Sequence, residues 1–382
     1  MTQAQQQFLE LLRAGLWGTT ADPSHFQPEQ TDWDEILRIA KEQTVQIIVA
    51  DGFETLPDEL CPSREAIMKS VMTRVKTKRA HHAINVTLNE IVNRLDAANI
   101  PSVLLKGQGV AKNYRNPESR ICGDIDLYVG IEGHEKACAI IEQIPGATPH
   151  KEEEDTVLHM HIDLNGVVVE LHKRADHIIS NRLDKNLQKW TRESIDANFG
   201  TDILETWNNN GTNIRLAPPI FTAFFILHHA IRHMIEGGVG FRQLCDWAMF
   251  LHTYHKSIDT VELSKKLKEF HMESVWKEFG IIAVAILGLP ANELPLAPAN
   301  LEPTRKTGKI LDDIFASGNF GKFHKTNPEL NTKVCYIRRK WRSFRFVSKR
   351  LFTLMYLFPR HGFDHSIRWF GNAIARFFKG DK

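Results

Sequence analysis

Apolar residues recur every three to four positions through the first hundred residues. Phe8, Leu11, Leu12 and Leu16 share one face, and Ile36, Ile39, Ala40, Val45 and Ile48 repeat the spacing. Stripes of this kind predict helices packed by one side. Pro57 and Pro62 interrupt them, and Ser63 followed by Ala66 and Ile67 opens a longer helix, continued by Val71, Val75, Ile84, Leu88, Ile91 and Leu95. The stripes read as core. The period changes at Asn99-Ile100-Pro101. Ser102–Lys106 is a short β-type run, followed by Gly107 and a helical piece carrying Val110, Ala111 and Tyr114. Further strands are predicted at Gly123–Val129, Val157–Leu164 and Val167–His172, with a helix near Glu135–Ile144 between the first two. Asn165-Gly166 separates the last pair as a hairpin turn.

From about Arg174 to Phe315 the pattern is helical again, with breaks at Pro218-Pro219, Gly237-Gly238 and 290–303. The plan predicts an α+β fold: a helical region at 1–98, a compact α/β core at 99–176, a helical domain at 177–330 and a basic, aromatic helical tail at 331–382.

Composition changes this picture little. A chain of 382 residues has room for two or three domains, and a net charge of +2 favours no class of partner. Cys61, Cys122, Cys138, Cys245 and Cys335 are scattered without a C-x-x-C pair. That suits a reducing cytosol and offers no zinc knuckle. The N-terminus lacks a signal-peptide pattern, and the apolar stretches at 280–289 and 351–358 are too short to span a bilayer. The expectation is a cytoplasmic protein. The charge distribution adds one qualification. Residues 333–382 carry thirteen lysines and arginines against two aspartates, interleaved with aromatics. Such a segment suits peripheral contact with an anionic membrane face, or another polyanion, as well as it suits a helical pair docked on the acidic remainder of the chain.

The chemistry concentrates in the β-type stretch. Along Gly123–Val129, Ile125, Leu127 and Val129 share one face, leaving Asp124 and Asp126 on the other, about 7 Å apart at roughly 3.3 Å per residue. Two like charges there repel, and a divalent cation relieves the repulsion. Oxygen ligands of this kind suit Mg²⁺ or Mn²⁺. Without metal, neutralising one of the pair should be harmless or mildly stabilising, unless it rests on a buried base. Glu170 stands in an otherwise β-branched run and shares a face with His172, so a neighbouring strand would bring it beside the pair. Asp163, across the turn, is the alternative third carboxylate. Two metals on three carboxylates would activate an attacking oxygen and neutralise a transferring phosphoryl group. Lys106 and Gly107, between a strand and a helix start, suit a phosphate, with glycine allowing close approach. Arg120 reads either as a phosphate clamp or as a partner of a local acid.

The sequence Leu104-Leu105-Lys106-Gly107, then Tyr114, Arg120 and Gly123-Asp124-Ile125-Asp126, resembles the signature of the nucleotidyltransferase superfamily with the DNA polymerase β-like fold. More narrowly it is similar to the bacterial uncharacterised nucleotidyltransferase family. Glu170-Leu171-His172 matches that family's later acidic-Leu-His element, and His228-His229, His233 and Arg242-x-x-x-Asp246 resemble its helical element. The resemblance implies Asp124, Asp126 and Glu170 as catalytic metal ligands and Gly107 in the nucleotide-phosphate loop. His172, His229, His233 and Arg242 are expected along the cleft wall. His229 and His233 are i, i+4 on one helix face, but Ala230 stands where a zincin has Glu, which argues against a metalloprotease.

The expected reaction moves a nucleotidyl group from a nucleoside triphosphate to a small-molecule, glycan or protein acceptor. The superfamily loop reads Gly-Gly or Gly-Ser, whereas this chain has Lys106-Gly107 with no serine following. That departure motivates the alternative, a non-catalytic nucleotide- or partner-binding module on the same fold.

Overall fold

The computed structural model describes residues 1–149, 158–321, 348 and 350–379. It opens with α1 (Gln3–Trp17), α2 (Trp33–Glu42) and α3 (Gln46–Phe53). The Thr2 hydroxyl accepts from Gln5 N while the Gln5 side chain accepts from Thr2 N, a capping box that fixes where α1 starts, and Gly18 ends it at φ 66°. The long α4 (Arg64–Ala97) starts where the sequence places it, with Ser63 Oγ accepting from Ala66 N at 3.3 Å.

A five-stranded mixed sheet follows, confirming the α+β class. Its strands are β1 (Val103–Leu104), β2 (Asp124–Tyr128), β3 (Ala147–Pro149), β4 (His159–Leu164) and β5 (Val167–His172), in the spatial order β1-β2-β5-β4-β3. β2 and β5 run parallel, and the other pairs are antiparallel. The one-turn α5 (Gln108–Ala111) follows β1, and α6 (Gly130–Glu142) follows β2. Each expected strand is present, β5 with the expected bounds and β1, β2 and β4 trimmed, and β3 adds to them.

Alternation gives the sheet two distinct faces. Ile125, Leu127, Ile162, Leu164, Val169 and Leu171 turn to one side, where they pack with Ile84, Leu88, Ile91 and Leu95 of α4 and Ala137 and Ile141 of α6. Each such side chain contributes about 1.5–3 kcal/mol when fully buried. A larger core unites α1–α3 with α7 (Asn181–Ser194), α8 (Pro219–Glu236), α9 (Phe241–Tyr254), α10 (Thr260–Glu269), α11 (Glu273–Ile281) and α12 (Arg305–Ser317), and takes Val103, Leu105 and Tyr128 from the sheet. Packing therefore crosses the sequence-based segments: the second half of α4 belongs with the sheet, while α1–α3 belong with the later helices. The first half of the α4 stripe is not core, since Met68, Val71, Met72 and Val75 are exposed.

One stretch expected to be helical is a β-hairpin, β6 (Thr206–Asn209) and β7 (Thr212–Arg215). Its turn, Asn210-Gly211, has φ of 48° and 98°, the left-handed region these residues tolerate. The hairpin seats Ile214 and Leu216 in the smaller core, and Leu216 bridges to Leu104 of β1.

Residues 350–357 and α13 (Pro359–Lys379) are helical. Leu351, Leu354, Leu357 and Phe358 are buried, and Arg350 donates from Nη2 to the carbonyls of Met234 and Gly237 at 2.8 and 2.9 Å, satisfying the end of α8. The docked arrangement thus holds for this part of the tail, while Phe352, Tyr356, Phe363 and Ile367 stay exposed. Residues 331–347, which carry much of the tail's charge, lie outside the described residues. Among the described residues no helix is long and apolar enough to cross a membrane, and Cys61, Cys122, Cys138 and Cys245 form no disulfide.

Candidate functional site

Parallel register between β2 and β5 sets Asp126 opposite Glu170, with Tyr128 opposite His172. All lie on the sheet face away from α4. On the far side of β5, β4 sets His161 opposite Glu170 and His159 opposite His172. Glu170 is therefore the carboxylate brought beside the Asp pair. Asp163 is one strand further out, and its Oδ1 accepts from Gly166 N at 2.9 Å, closing the hairpin turn.

Asp126 is fully buried and heavily partnered. Its Oδ1 receives Lys106 Nζ at 2.9 Å and lies 3.2 Å from His172 Nε2. Its Oδ2 is buried without a hydrogen-bond partner. Glu170 holds His172 Nε2 at 3.3 Å and His161 Nε2 at 3.0 Å. Burial works against the charge on Lys106, but Asp126, Asp124 and Glu170 outweigh it and hold the ammonium's pKa above the lysine range. Burial likewise opposes imidazolium at His172, and the bonds to Asp126 and Glu170 prevail, raising its pKa to about 9. The charge of Asp126, then burial, push Asp124 up from the ordinary carboxylate value. The expected repulsion is present at Asp124. Asp126, by contrast, is paired with the half-buried Lys106 and the buried His172.

Gly107 adopts φ 65°, and a Cβ there would stand 3.2 Å from Asp124 O. The chain must turn sharply and tightly against β2 to deliver Lys106, which only glycine permits without strain. Lys106, expected at a phosphate, is thus found on the Asp pair.

α8 brings the expected histidines beside Lys106. Lys106 Nζ lies 3.3 Å from His229 Nε2, and His233 Nε2 lies 2.9 Å from the same nitrogen. Burial and the Lys106 charge depress His229 to about 3, keeping it neutral. Asp176, which sequence reasoning passed over, anchors this helix: its Oδ2 meets His228 Nδ1 at 3.0 Å and its Oδ1 meets Arg232 Nε at 2.9 Å. The available signal was an acid just past β5 matching the basic spacing His228, His229, Arg232.

Arg120 is set apart from the carboxylates. Buried, it donates from Nε and Nη2 to Asp246 of α9 at 2.6 and 2.8 Å, and Tyr114 Oη donates to Asp246 Oδ1 at 2.7 Å. The expected surface pairing with a local acid is corrected: Arg120 does meet an acid, but it is buried and that acid, Asp246, is distant in sequence. One turn away on α9, Arg242 donates to Ile121 O at 3.0 Å, and its charge lowers the pKa of Asp124, opposing the larger effects of Asp126 and burial. Arg242 and Asp246 together hold the segment that feeds β2, so the Arg-x-x-x-Asp spacing positions the strand that carries Asp124 and Asp126.

The donor set fits the divalent cation that the sequence pattern implies. Asp124, Asp126 and Glu170 are oxygen donors, and Asp126 Oδ2 is the orphaned buried atom such an ion would satisfy.

Residues 29–288 match the model of a family described as uncharacterised nucleotidyltransferase. No curated protein matches the chain. A solved structure, an antigenic nucleotidyltransferase-like protein from Paracoccidioides brasiliensis, is similar at 14% identity and a TM-score of 0.31, over 53% of this chain and 92% of that one.

Proposed function

Because the chain belongs to the uncharacterised nucleotidyltransferase family, we infer that it transfers a nucleotidyl group from a nucleoside triphosphate to a hydroxyl or phosphate on a small-molecule, glycan or protein acceptor. The observation that carries this reading is the register of β2 against β5, which aligns Asp126 with Glu170 beside Asp124 and leaves Asp126 Oδ2 unpartnered. Asp124, Asp126 and Glu170 would hold Mg²⁺ or Mn²⁺. Bound there, the ion would supply charge neutralisation at the transferring phosphoryl group and an activated acceptor oxygen.

The chain's own residues do the rest. The Lys106 ammonium, released from Asp126 when that carboxylate takes a cation, is poised at the Gly107 turn to meet phosphate oxygens. His172 holds a proton at Nε2 between Asp126 and Glu170. Asp176 and α8 fix His229 behind Lys106 and keep water from the ammonium's inner side.

The test is incubation of the full chain with labelled nucleoside triphosphates, Mg²⁺ or Mn²⁺ and a cell extract. Label transferred by the wild type and not by Asp124→Asn is the expected result. No nucleotide consumed by a folded protein with either metal overturns it.

A second reading follows from the same lysine. Lys106 Nζ already stands 2.9 Å from Asp126, the position a cation would neutralise, as in a module that binds a nucleotide or partner without turnover. Calorimetry with Mg²⁺ and a non-hydrolysable triphosphate separates the two. Binding unchanged in Asp124→Asn favours the module, since a metal-bridged triphosphate would be lost.

A further inference from the structure

We propose that His159 and His161, together with Glu170, form a site for a transition-metal ion of the zinc class, adjacent to the carboxylate site and sharing Glu170 with it. His159 and His161 are two residues apart on β4, so both project from the face that bears Glu170 and His172, and each pairs with one of those residues across the ladder.

Their donor atoms converge. His161 Nε2 lies 3.0 Å from one oxygen of Glu170, while His159 Nε2 and His172 Nε2 lie 3.7 and 3.3 Å from the other. The Nε2 atoms of His159 and His161 are themselves 3.0 Å apart. Ligands at 2.0–2.1 Å around a tetrahedral zinc are about 3.3 Å from one another, so the three donors of His159, His161 and Glu170 are spaced for three positions of a four-coordinate shell. Two imidazole lone pairs at such a separation repel unless a proton or a cation lies between them.

The surroundings fit a metal. His172 Nε2, 3.3 Å from Glu170 and 3.2 Å from Asp126, holds the shared carboxylate from its other side, as the outer partners of metal ligands do. The His172 side chain is 5% exposed and that of His161 is 39% exposed, so the site has a closed floor and an open rim for an ion to enter. Two imidazoles and one carboxylate favour zinc, cobalt or nickel, whereas magnesium demands an oxygen shell. Asp124 takes no part in this set. Glu170 is shared, so a metal here would hold one side of its carboxylate and orient the other toward Asp126.

The experiment is a Co²⁺ titration of the untagged, chelator-treated full chain, followed by Zn²⁺ competition and metal analysis. One Co²⁺ per chain, with the visible absorption of a four-coordinate ion, displaced by Zn²⁺ and not by Mg²⁺, is expected. His159→Ala/His161→Ala should weaken binding by more than about 100-fold, because losing even an outer partner of a ligand costs 10–100-fold. His161→Gln alters a partly exposed side chain and provides a milder test in a folded protein, with weaker binding expected. Asp124→Asn should retain the Co²⁺ spectrum, so failure here and failure of the transferase reading are distinguishable. Absence of stoichiometric Co²⁺, or a spectrum unchanged in both histidine variants, overturns the proposal.

Discussion

Asp124 and Asp126 look equivalent in sequence, but the fold makes them unlike. Asp126 is wholly buried on Lys106 and His172, whereas Asp124 carries a raised pKa because of its neighbour's charge and its burial. In metal-free protein, Asp126→Ala should destabilise by about 3–5 kcal/mol, the usual cost of leaving buried charges without their partner. Asp124→Asn should change stability by less than about 0.5 kcal/mol or raise it slightly. Urea melts in chelator read the contrast directly, and equal losses would refute it. Gly107→Ala should also cost about 1–3 kcal/mol, from a left-handed backbone imposed on a residue with a Cβ, with the melting temperature as readout.

At the scale of elements, α9 is a clamp on β2. Arg120→Ala would leave Asp246 buried with only Tyr114 as partner, at an expected cost of about 3–5 kcal/mol. Thermal melts measure the loss, and Arg120→Lys should recover little of it because the fork geometry is gone. The elements differ in how far the sequence discloses them. α1, α4, β2 and β5 were legible because cap, stripe or alternation stands intact in each. The β6–β7 hairpin was not, although Asn210-Gly211 repeats the signal read at Asn165-Gly166, since four-residue strands leave too little alternation to outweigh helical flanks. Among site residues, the Asp pair, Glu170 and the His229 wall could be read from parity and i, i+4 spacing. The Arg120–Asp246 pair and the convergence of His159 with Glu170 depend on which strands and helices become neighbours, which no local pattern encodes.

Across the whole molecule, the tail is tied to the body through groups sensitive to acid. His361 Nε2 lies 3.0 Å from Phe270 O, and burial, with His228 nearby, lowers its pKa to about 4. His271 and Arg360 press in the same direction. An unfolded histidine titrates near 6.5, so the stability from a neutral His361 is fully present above that pH. It is lost as pH falls from 6.5 toward 4, amounting to about 2 kcal/mol by pH 5. Hydrogen exchange in α13 should therefore accelerate between pH 7 and pH 5, and His361→Gln should flatten the dependence. The buried Leu351, Leu354 and Phe358 also mean that ending the chain near Thr332 would disturb the core. Contact with anionic membranes is better tested by Phe352→Ser with Phe363→Ser in the full chain. Salt-sensitive sedimentation with anionic vesicles, reduced by the pair, is the expected outcome, and equal sedimentation would assign the tail a packing role alone.

The spacing of the site along the chain also sets its history during synthesis. His161 meets Glu170 across 9 residues, His172 meets Asp126 across 46, and Lys106 meets His229 across 123. The entropic penalty of closing the longest of these loops exceeds that of the shortest by only about 2 kcal/mol, so order of emergence, more than thermodynamics, separates them. Every carboxylate and β-strand histidine of the face has left the ribosome once residue 172 is out, and His229 follows 57 residues later. At about 5–20 residues per second that interval lasts seconds, long enough for a dissolved ion to reach an acidic face before α8 walls it in.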